Sequence, residues 1–378
     1  MSDIKVVVYG ASGYTGKLIS RHLAGRNIPF IAAGRSAAKI REQLATLPEL
    51  KDARYEVAEV ANEKEALSAF LEGKSVIYNT VGPFMQLAEP VVQAALEAGC
   101  HYLDSTGEQD WMLFLRERYA SAYAERGLLL IPALAFMWAS GHLAAEVCLE
   151  TPGIDTLDLV YVTRGSLPSV SSTLSFLRMC CQPQYHLAQK QLVPWEPATA
   201  YQAVAPTFHQ VLDCLPWSGG GEPVWYVDDP RVRNCSMLVN FGNPQVMSNV
   251  LKLAREFNDV HKHKSPEEQE AVTNGWGHEW TPSEPPRENP DLCRAVISCH
   301  GSGPISQSTV ILQGNCGYEQ AGSVAVAGIE RILSGDLTAA GFVSPAKAFG
   351  ARYLLAAMER DGLAKVIVRH WSLWTFAA

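Results

Sequence analysis

Long apolar runs are scarce in this chain. The most apolar stretch, Leu128 to Ala139, is interrupted by Pro132 and falls well short of the roughly 20 residues a membrane-spanning helix needs. Positive charge is also in short supply. Against 39 Asp and Glu stand 31 Lys and Arg, a net charge of −8, so no basic stripe is expected to follow a nucleic-acid backbone. The nine cysteines include no Cys-x-x-Cys pair, and their odd number and scatter read as reduced, structural thiols. His261-x-His263 has no acidic or cysteine partner beside it and reads as a solvated helix end, so no metal is expected. No internal repeat interrupts the chain. The first apolar run reads as a buried strand and not as a secretory signal, which points to a cytoplasmic setting. What remains is a chain of 378 residues, 47% hydrophobic and 19% charged, long enough for two domains.

The stretch that organises the rest is Val6-Val7-Val8-Tyr9-Gly10-Ala11-Ser12-Gly13-Tyr14-Thr15-Gly16. A β-branched run ends in three glycines spaced three apart, and a helix-compatible segment follows. The first N–H groups of that helix lack intrahelical partners, and with the positive end of the helix dipole they suit a pyrophosphate. Gly10 takes the turn, Gly13 lets a phosphate approach the backbone, and Gly16 lets helix and strand pack. The plainer alternative is a glycine-rich turn that binds nothing. The spacing is Gly-x-x-Gly-x-x-Gly, not the Gly-x-Gly-x-x-Gly of the dinucleotide fingerprint.

Pro29 to Ala33 reads as a second buried strand, ending in Gly34-Arg35-Ser36. An acid here would bind the ribose 2′-hydroxyl of NAD, whereas an arginine would pair with the 2′-phosphate of NADP. The chain supplies Arg35, Ser36 and Lys39 with no acid beside them, so NADP(H) is the expected cofactor. Further strands read at Arg54 to Val60, Ser75 to Val81, His101 to Asp104 and Leu128 to Ile131, with helices between them. That alternation specifies an α/β fold, a Rossmann-type doubly wound parallel sheet. Its ligands bind at the carboxyl ends of the strands, so Asn79, Thr80, Val81, Gly82 and Pro83 join the glycine loop as expected cofactor contacts.

Four motifs in order, Gly10 to Gly16, Ala33 to Ser36, Asn79-Thr80-Val81-Gly82-Pro83-Phe84 and His101-Tyr102-Leu103-Asp104-Ser105-Thr106-Gly107-Glu108, resemble the saccharopine dehydrogenase-like oxidoreductases. That family includes saccharopine reductases and trans-acting enoyl reductases. The resemblance covers the first third of the chain. It implies NADP(H) in a Rossmann domain, a second mixed α+β domain carrying the substrate site, and a last segment returning to the first. The expected boundaries are 1–135, 136–335 and 336–378. Where many relatives carry Gly-Phe-Asp-Ser-x-Pro, this chain has Ala135-Phe136-Met137-Trp138-Ala139-Ser140, so the borrowed substrate does not carry over.

From about Thr151 the pattern becomes one of strands and helices suited to a largely antiparallel sheet. Asp155 to Thr163, Pro223 to Asp228, Ser236 to Asn240, Leu292 to His300 and Ser308 to Gly314 read as strands; Ser169 to Cys181 and Pro244 to His261 read as helices. His261 to Pro290 reads as a long excursion, with Trp276 and Trp280 either a lid or an anchor. Gly317 to Leu333 and Ala346 to Arg360 are late helices, expected to close back on the first domain.

Hydride transfer needs positioning and a proton donor. Tyr102 and Asp104 stand at the end of the fifth strand as candidates, the plainer alternative being that Tyr102 packs under a ring and Asp104 caps a helix. Substrate contacts are expected from Phe84, Trp138 and the helix start Ser171, Ser172 and Thr173, whose alternative is N-capping. Arg164 and Arg178 are candidate carboxylate anchors. The expected activity is NADPH-dependent reduction of a C=N or activated C=C bond in a small metabolite. The alternative is a non-catalytic NADP(H)-binding sensor or partner protein. A homodimer is expected, with neither nucleic acid nor membrane as partner.

Overall fold

Val6–Tyr9 forms a strand (β1) because its β-branched and aromatic side chains are buried on both faces of a sheet. In the computed structural model, which describes residues 3–206 and 210–372, five further strands follow: β2 (Phe30–Gly34), β3 (Tyr55–Glu59), β4 (Val76–Asn79), β5 (His101–Asp104) and β6 (Leu129–Ile131). All are parallel, in the order β6-β5-β4-β1-β2-β3, with a short strand Gly341–Phe342 beyond β6. Winding therefore reverses between β1 and β4, where Tyr9 is in register with Asn79.

The chain divides into two compact units. One comprises the residues up to Thr106, Trp111–Phe136 and Tyr318–Ala357; the other comprises Gly107–Asp110, Met137–Gly317 and the chain from Met358 on. The return to the first unit thus begins earlier than the expected 336 and ends earlier too. In that unit the helix Gly317–Ser334 lies on the helix Tyr14–Gly25. Arg21 pairs with Glu319, His22 lies 3.1 Å from Glu319, and Arg26 donates to Glu330 at 2.7 Å. Gly322 is required there, since a Cβ would stand 2.5 Å from the His22 ring.

The second unit holds β7 (Thr156–Arg164), β8 (Tyr185–Ala188), β9 (Gln191–Pro194), β10 (Tyr201–Ala205), β11 (Gln210–Cys214), β12 (Asn234–Asn240), β13 (Arg294–Ser302) and β14 (Ser306–Gly314). Its main sheet runs from the C-terminal strand Ala364–Ser372 through β14, β13, β7, β12 and β8 to β9. Only the pair β7–β12 is parallel among the described strands of this sheet. The tail strand belongs here by pairing with β14, although the resemblance implied that the whole of 336–378 returns to the first domain. The hairpin β10–β11 packs Ala205 and Cys214 against Val160 and Val162.

Two element assignments change. Pro223 to Asp228 is not a strand: Glu222–Tyr226 is a short helix with Pro223 in its first turn. Within the supposed excursion, Pro266–Trp280 is a helix started by a capping box, Ser265 and Glu268 each accepting the other's backbone N–H. It packs on the helix Val170–Arg178 so closely that a Cβ on Gly277 would stand 2.6 Å from the Leu174 side chain. Trp276 meets Phe257 and His261 edge-on, as an anchor does.

Candidate functional site

The three glycines of the first unit play three different parts. Gly10 has φ +87°, and a Cβ there would stand 2.5 Å from Thr80 Oγ1. A Cβ on Gly16 would meet the Gly10 carbonyl oxygen at 2.4 Å, so only glycine lets the helix lie this close to the turn. At Gly13 an added Cβ would have a single neighbour, the Gly10 carbonyl oxygen at 3.3 Å, which leaves the outer side of the loop open. Gly13 is the N-cap of the helix Tyr14–Gly25, whose first turn carries no acid. Ser12 and Thr15, both half-buried, flank this N-terminus, while Tyr14 is buried edge-on against Tyr318. The residues present therefore fit a pyrophosphate.

Beyond β2, Arg35 is exposed and its charge reaches the Tyr9 hydroxyl, where it opposes the rise that burial imposes. The Ser36 side chain caps the helix Ala37–Ala45 by accepting the Lys39 N–H. One neighbour was not visible in the sequence: Glu59, in register with Gly34, accepts the Ala37 N–H at 2.9 Å. An acid is thus close by, but it is turned to the helix start.

The ends of β4 and β5 are tied internally. Asn79 accepts the Val81 N–H and donates to the Tyr102 hydroxyl, so it shapes the turn through Thr80, whose hydroxyl donates to the Tyr9 carbonyl. Gly82 and Pro83 follow, and Phe84 is 6% exposed within the core of this unit, not at a substrate wall. Tyr102 donates to Asp104 at 2.9 Å, and both are buried. Asp104 also accepts from Trp111 Nε1 and from the N–H groups of Thr106 and Ala133. Burial pushes its carboxyl up to about 6 while these donors pull the other way. Four donors on one carboxylate make it a bracket between β5, the following turn and the chain after β6.

In the second unit Arg178 is buried and held by acids. It lies 3.4 Å from Glu108, donates to Asp110, and is 3.6 Å from Glu270. It is therefore engaged within the protein and not open as a carboxylate anchor. The whole segment Gly107–Asp110 is gripped: Trp138 Nε1 and Ser218 donate to the Gly107 carbonyl, Ser175 to Glu108, and Gln109 to the carbonyls of Tyr185 and Gly220. Trp138 is 2% exposed and stands edge-on to Tyr161.

The helix start at Ser169 is also filled from within. Ser169 accepts the Ser172 N–H, Glu284 accepts the Val170 N–H at 3.1 Å, and Thr173 shares a 2.7 Å hydrogen bond with Thr281. Ser171 is exposed. Capping accounts for these residues, and the acid that caps them is the chain's own.

Two residues that the sequence reading passed over share the centre of this unit. Tyr161, on β7, donates to Glu222 at 2.6 Å, and Glu222 is fully buried with its carboxyl pushed up to about 7 by burial. The available signal was the run Ser218-Gly219-Gly220-Gly221-Glu222-Pro223, in which φ is positive at Ser218, Gly219 and Gly220.

Comparison with known proteins divides the chain by sequence, between 126 and 139, and not by the two compact units. Residues 6–126 match the saccharopine dehydrogenase NADP binding domain, and residues 139–370 match a family of unknown function, DUF5938. A lipid droplet localized protein of Caenorhabditis elegans is 34% identical over 142 residues, 35% of this chain and 33% of that one. The trans-acting enoyl reductase of Mycobacterium bovis is 34% identical over 140 residues, covering 35% and 32%. A saccharopine dehydrogenase-like oxidoreductase of Rattus norvegicus is 28% identical over 149 residues, covering 35% and 34%. The match thus spans about a third of the length of these curated relatives. In fold, the chain is similar to saccharopine dehydrogenase (L-Glu forming) from Saccharomyces cerevisiae, with a TM-score of 0.60 at 12% identity over 97% of this chain and 99% of that one. The chain carries a saccharopine dehydrogenase NADP-binding domain and, by the larger part of its length, belongs to the family DUF5938.

Proposed function

We propose that the protein is an NADPH-dependent reductase acting on a C=N or activated C=C bond of a small metabolite. The observation that carries this reading is the open helix N-terminus at Gly13, set at the winding reversal of a sheet that matches an NADP-binding domain. NADPH would supply the hydride; the glycine loop would hold its pyrophosphate, and Arg35, Ser36 and Lys39 its 2′-phosphate. The relatives named as enoyl reductases favour C=C as the reduced bond.

A charge-assisted contact to the 2′-phosphate contributes about 1.5–3 kcal/mol, or about tenfold to a hundredfold in affinity. Calorimetric titration is expected to show NADPH binding tighter than NADH by that factor, with the preference lost in Arg35→Ala. Equal affinities would overturn the NADP assignment. Consumption of NADPH with a panel of enoyl thioesters and imines then tests the reaction. A second reading, a cofactor-binding sensor without turnover, is favoured by the internal capping of the Ser169 helix by Glu284. NADPH binding without consumption across the panel would select it.

A further inference from the structure

We propose that Glu222 is held as a neutral carboxylic acid inside the second unit, a proton store whose discharge is governed by Tyr161. The argument is a count of protons around one oxygen. Tyr161 Oη accepts the Gly141 N–H at 2.8 Å and lies 2.6 Å from Glu222 Oε1 and 3.1 Å from the Trp138 carbonyl oxygen. A phenol has one proton. With Glu222 ionised, that proton would face two acceptors, and Glu222 Oε2 would stay charged and buried with no hydrogen-bond partner. A proton on Oε1 resolves both conflicts. The acid then donates to Tyr161, Tyr161 donates to the Trp138 carbonyl, and Oε2 becomes an uncharged carbonyl oxygen, far cheaper to bury.

The surroundings are shaped for this carboxyl. A Cβ on Gly141 would stand 2.4 Å from Oε1, and one on Gly220 would stand 2.7 Å from Oε2. Glycine is therefore required on both sides of the group. Gly220 ends a run of three positive φ values, +64° at Ser218, +74° at Gly219 and +78° at Gly220. Burial is the largest influence and holds the carboxyl up near 7, against weaker pulls from Tyr161 and from the N–H groups of Glu222 and Gly221. The other titratable neighbours are thiols. Cys235 on β12 is held high by burial and by Glu222, and Cys299 on β13 is held high by burial and acts on Tyr161.

Discharge follows from the same geometry. As pH rises the acid gives up the proton on Oε1 to solvent, the Tyr161 hydroxyl turns from the Trp138 carbonyl to Oε1, and Glu222 remains as a carboxylate stabilised by that one donor. The store is independent of the reductase reading.

Infrared difference spectroscopy of the whole protein reads the store directly. Below about pH 7 the wild type is expected to show the C=O stretch of a buried carboxylic acid, titrating away above it and missing from Glu222→Gln. In Tyr161→Phe the carboxylate loses its donor, so the band is expected to persist to higher pH. Thermal melts supply a second measurement if Tyr161→Phe does not fold. A raised folded-state pKa favours the folded protein at low pH. The wild type should therefore lose stability relative to Glu222→Gln as pH climbs from about 4.5 through about 7. No acid band, or no pH-dependent divergence of the melts, overturns the store. A wild type that shows the band and consumes no NADPH with the panel overturns the reductase reading instead.

Discussion

At the scale of single residues, the molecule separates side chains that hold the fold from positions left open for a ligand. Gly13 is of the second kind, with extended backbone at φ −78° and ψ 170° that any residue adopts. Gly13→Val should leave circular dichroism and melting unchanged while abolishing NADPH binding, because its methyl groups fill the space a pyrophosphate needs. Retained binding would make the loop a structural turn only. Asp104 is of the first kind. In Asp104→Asn one oxygen is replaced by an amide nitrogen that cannot accept, so two of the four donors lose their partner. At about 1–3 kcal/mol for each buried donor left unpaired, a loss of about 2–6 kcal/mol is expected in denaturant unfolding. A change under 1 kcal/mol would restore a functional reading of this carboxylate.

At the scale of elements, Ser265 shows how a local signal is outweighed by composition. The segment after His261 is polar and rich in proline, yet Ser265, Pro266 and Glu268 spell a helix start, and the apolar contact that keeps the helix is supplied by Leu174, far away in sequence. Ser265→Ala removes one arm of the capping box and should cost about 1 kcal/mol, read as a lower denaturant midpoint at unchanged slope. Most strands of the first unit were legible because each is a short buried run between helices, β3 instead by its alternation, and the late hairpin β13–β14 because each strand is long with an apolar centre. The turn of the glycine loop was legible for a related reason: glycine spacing is a backbone requirement written locally. Tyr161 and Glu222 were not, since their relation is made by β7 meeting a short helix and neither residue carries a motif of its own. Glu59 stayed hidden likewise, its place beside Gly34 being set by the register of β2 and β3. The same holds for Glu284, which only the fold brings to Val170.

For the whole molecule, the order of the chain matters as much as its content. The NADP-binding match ends at 126, and a boundary near 135 looks natural in the sequence, but the first unit is completed by Tyr318–Ala357. That late segment supplies Glu319 to Arg21 and His22, and Glu330 to Arg26, along the helix whose N-terminus is the candidate phosphate site. It also brings Gly328 against Leu134 and Phe349, where a Cβ would stand 2.9 Å and 2.8 Å from their side chains, and it adds Gly341–Phe342 to the edge of β6. A fragment of residues 1–136 would leave Arg21, which is 9% exposed in the full chain, without its closest carboxylate, and would bare an apolar helix face and a strand edge. Such a fragment is therefore expected to aggregate or to melt without a cooperative transition, and to bind NADPH at least about tenfold more weakly than the full chain. Supplying 318–357 by a covalent linker should restore both. A fragment 1–136 that folds cooperatively and binds NADPH with full-chain affinity would show that the late segment is an addition to the nucleotide-binding unit and not a part of it.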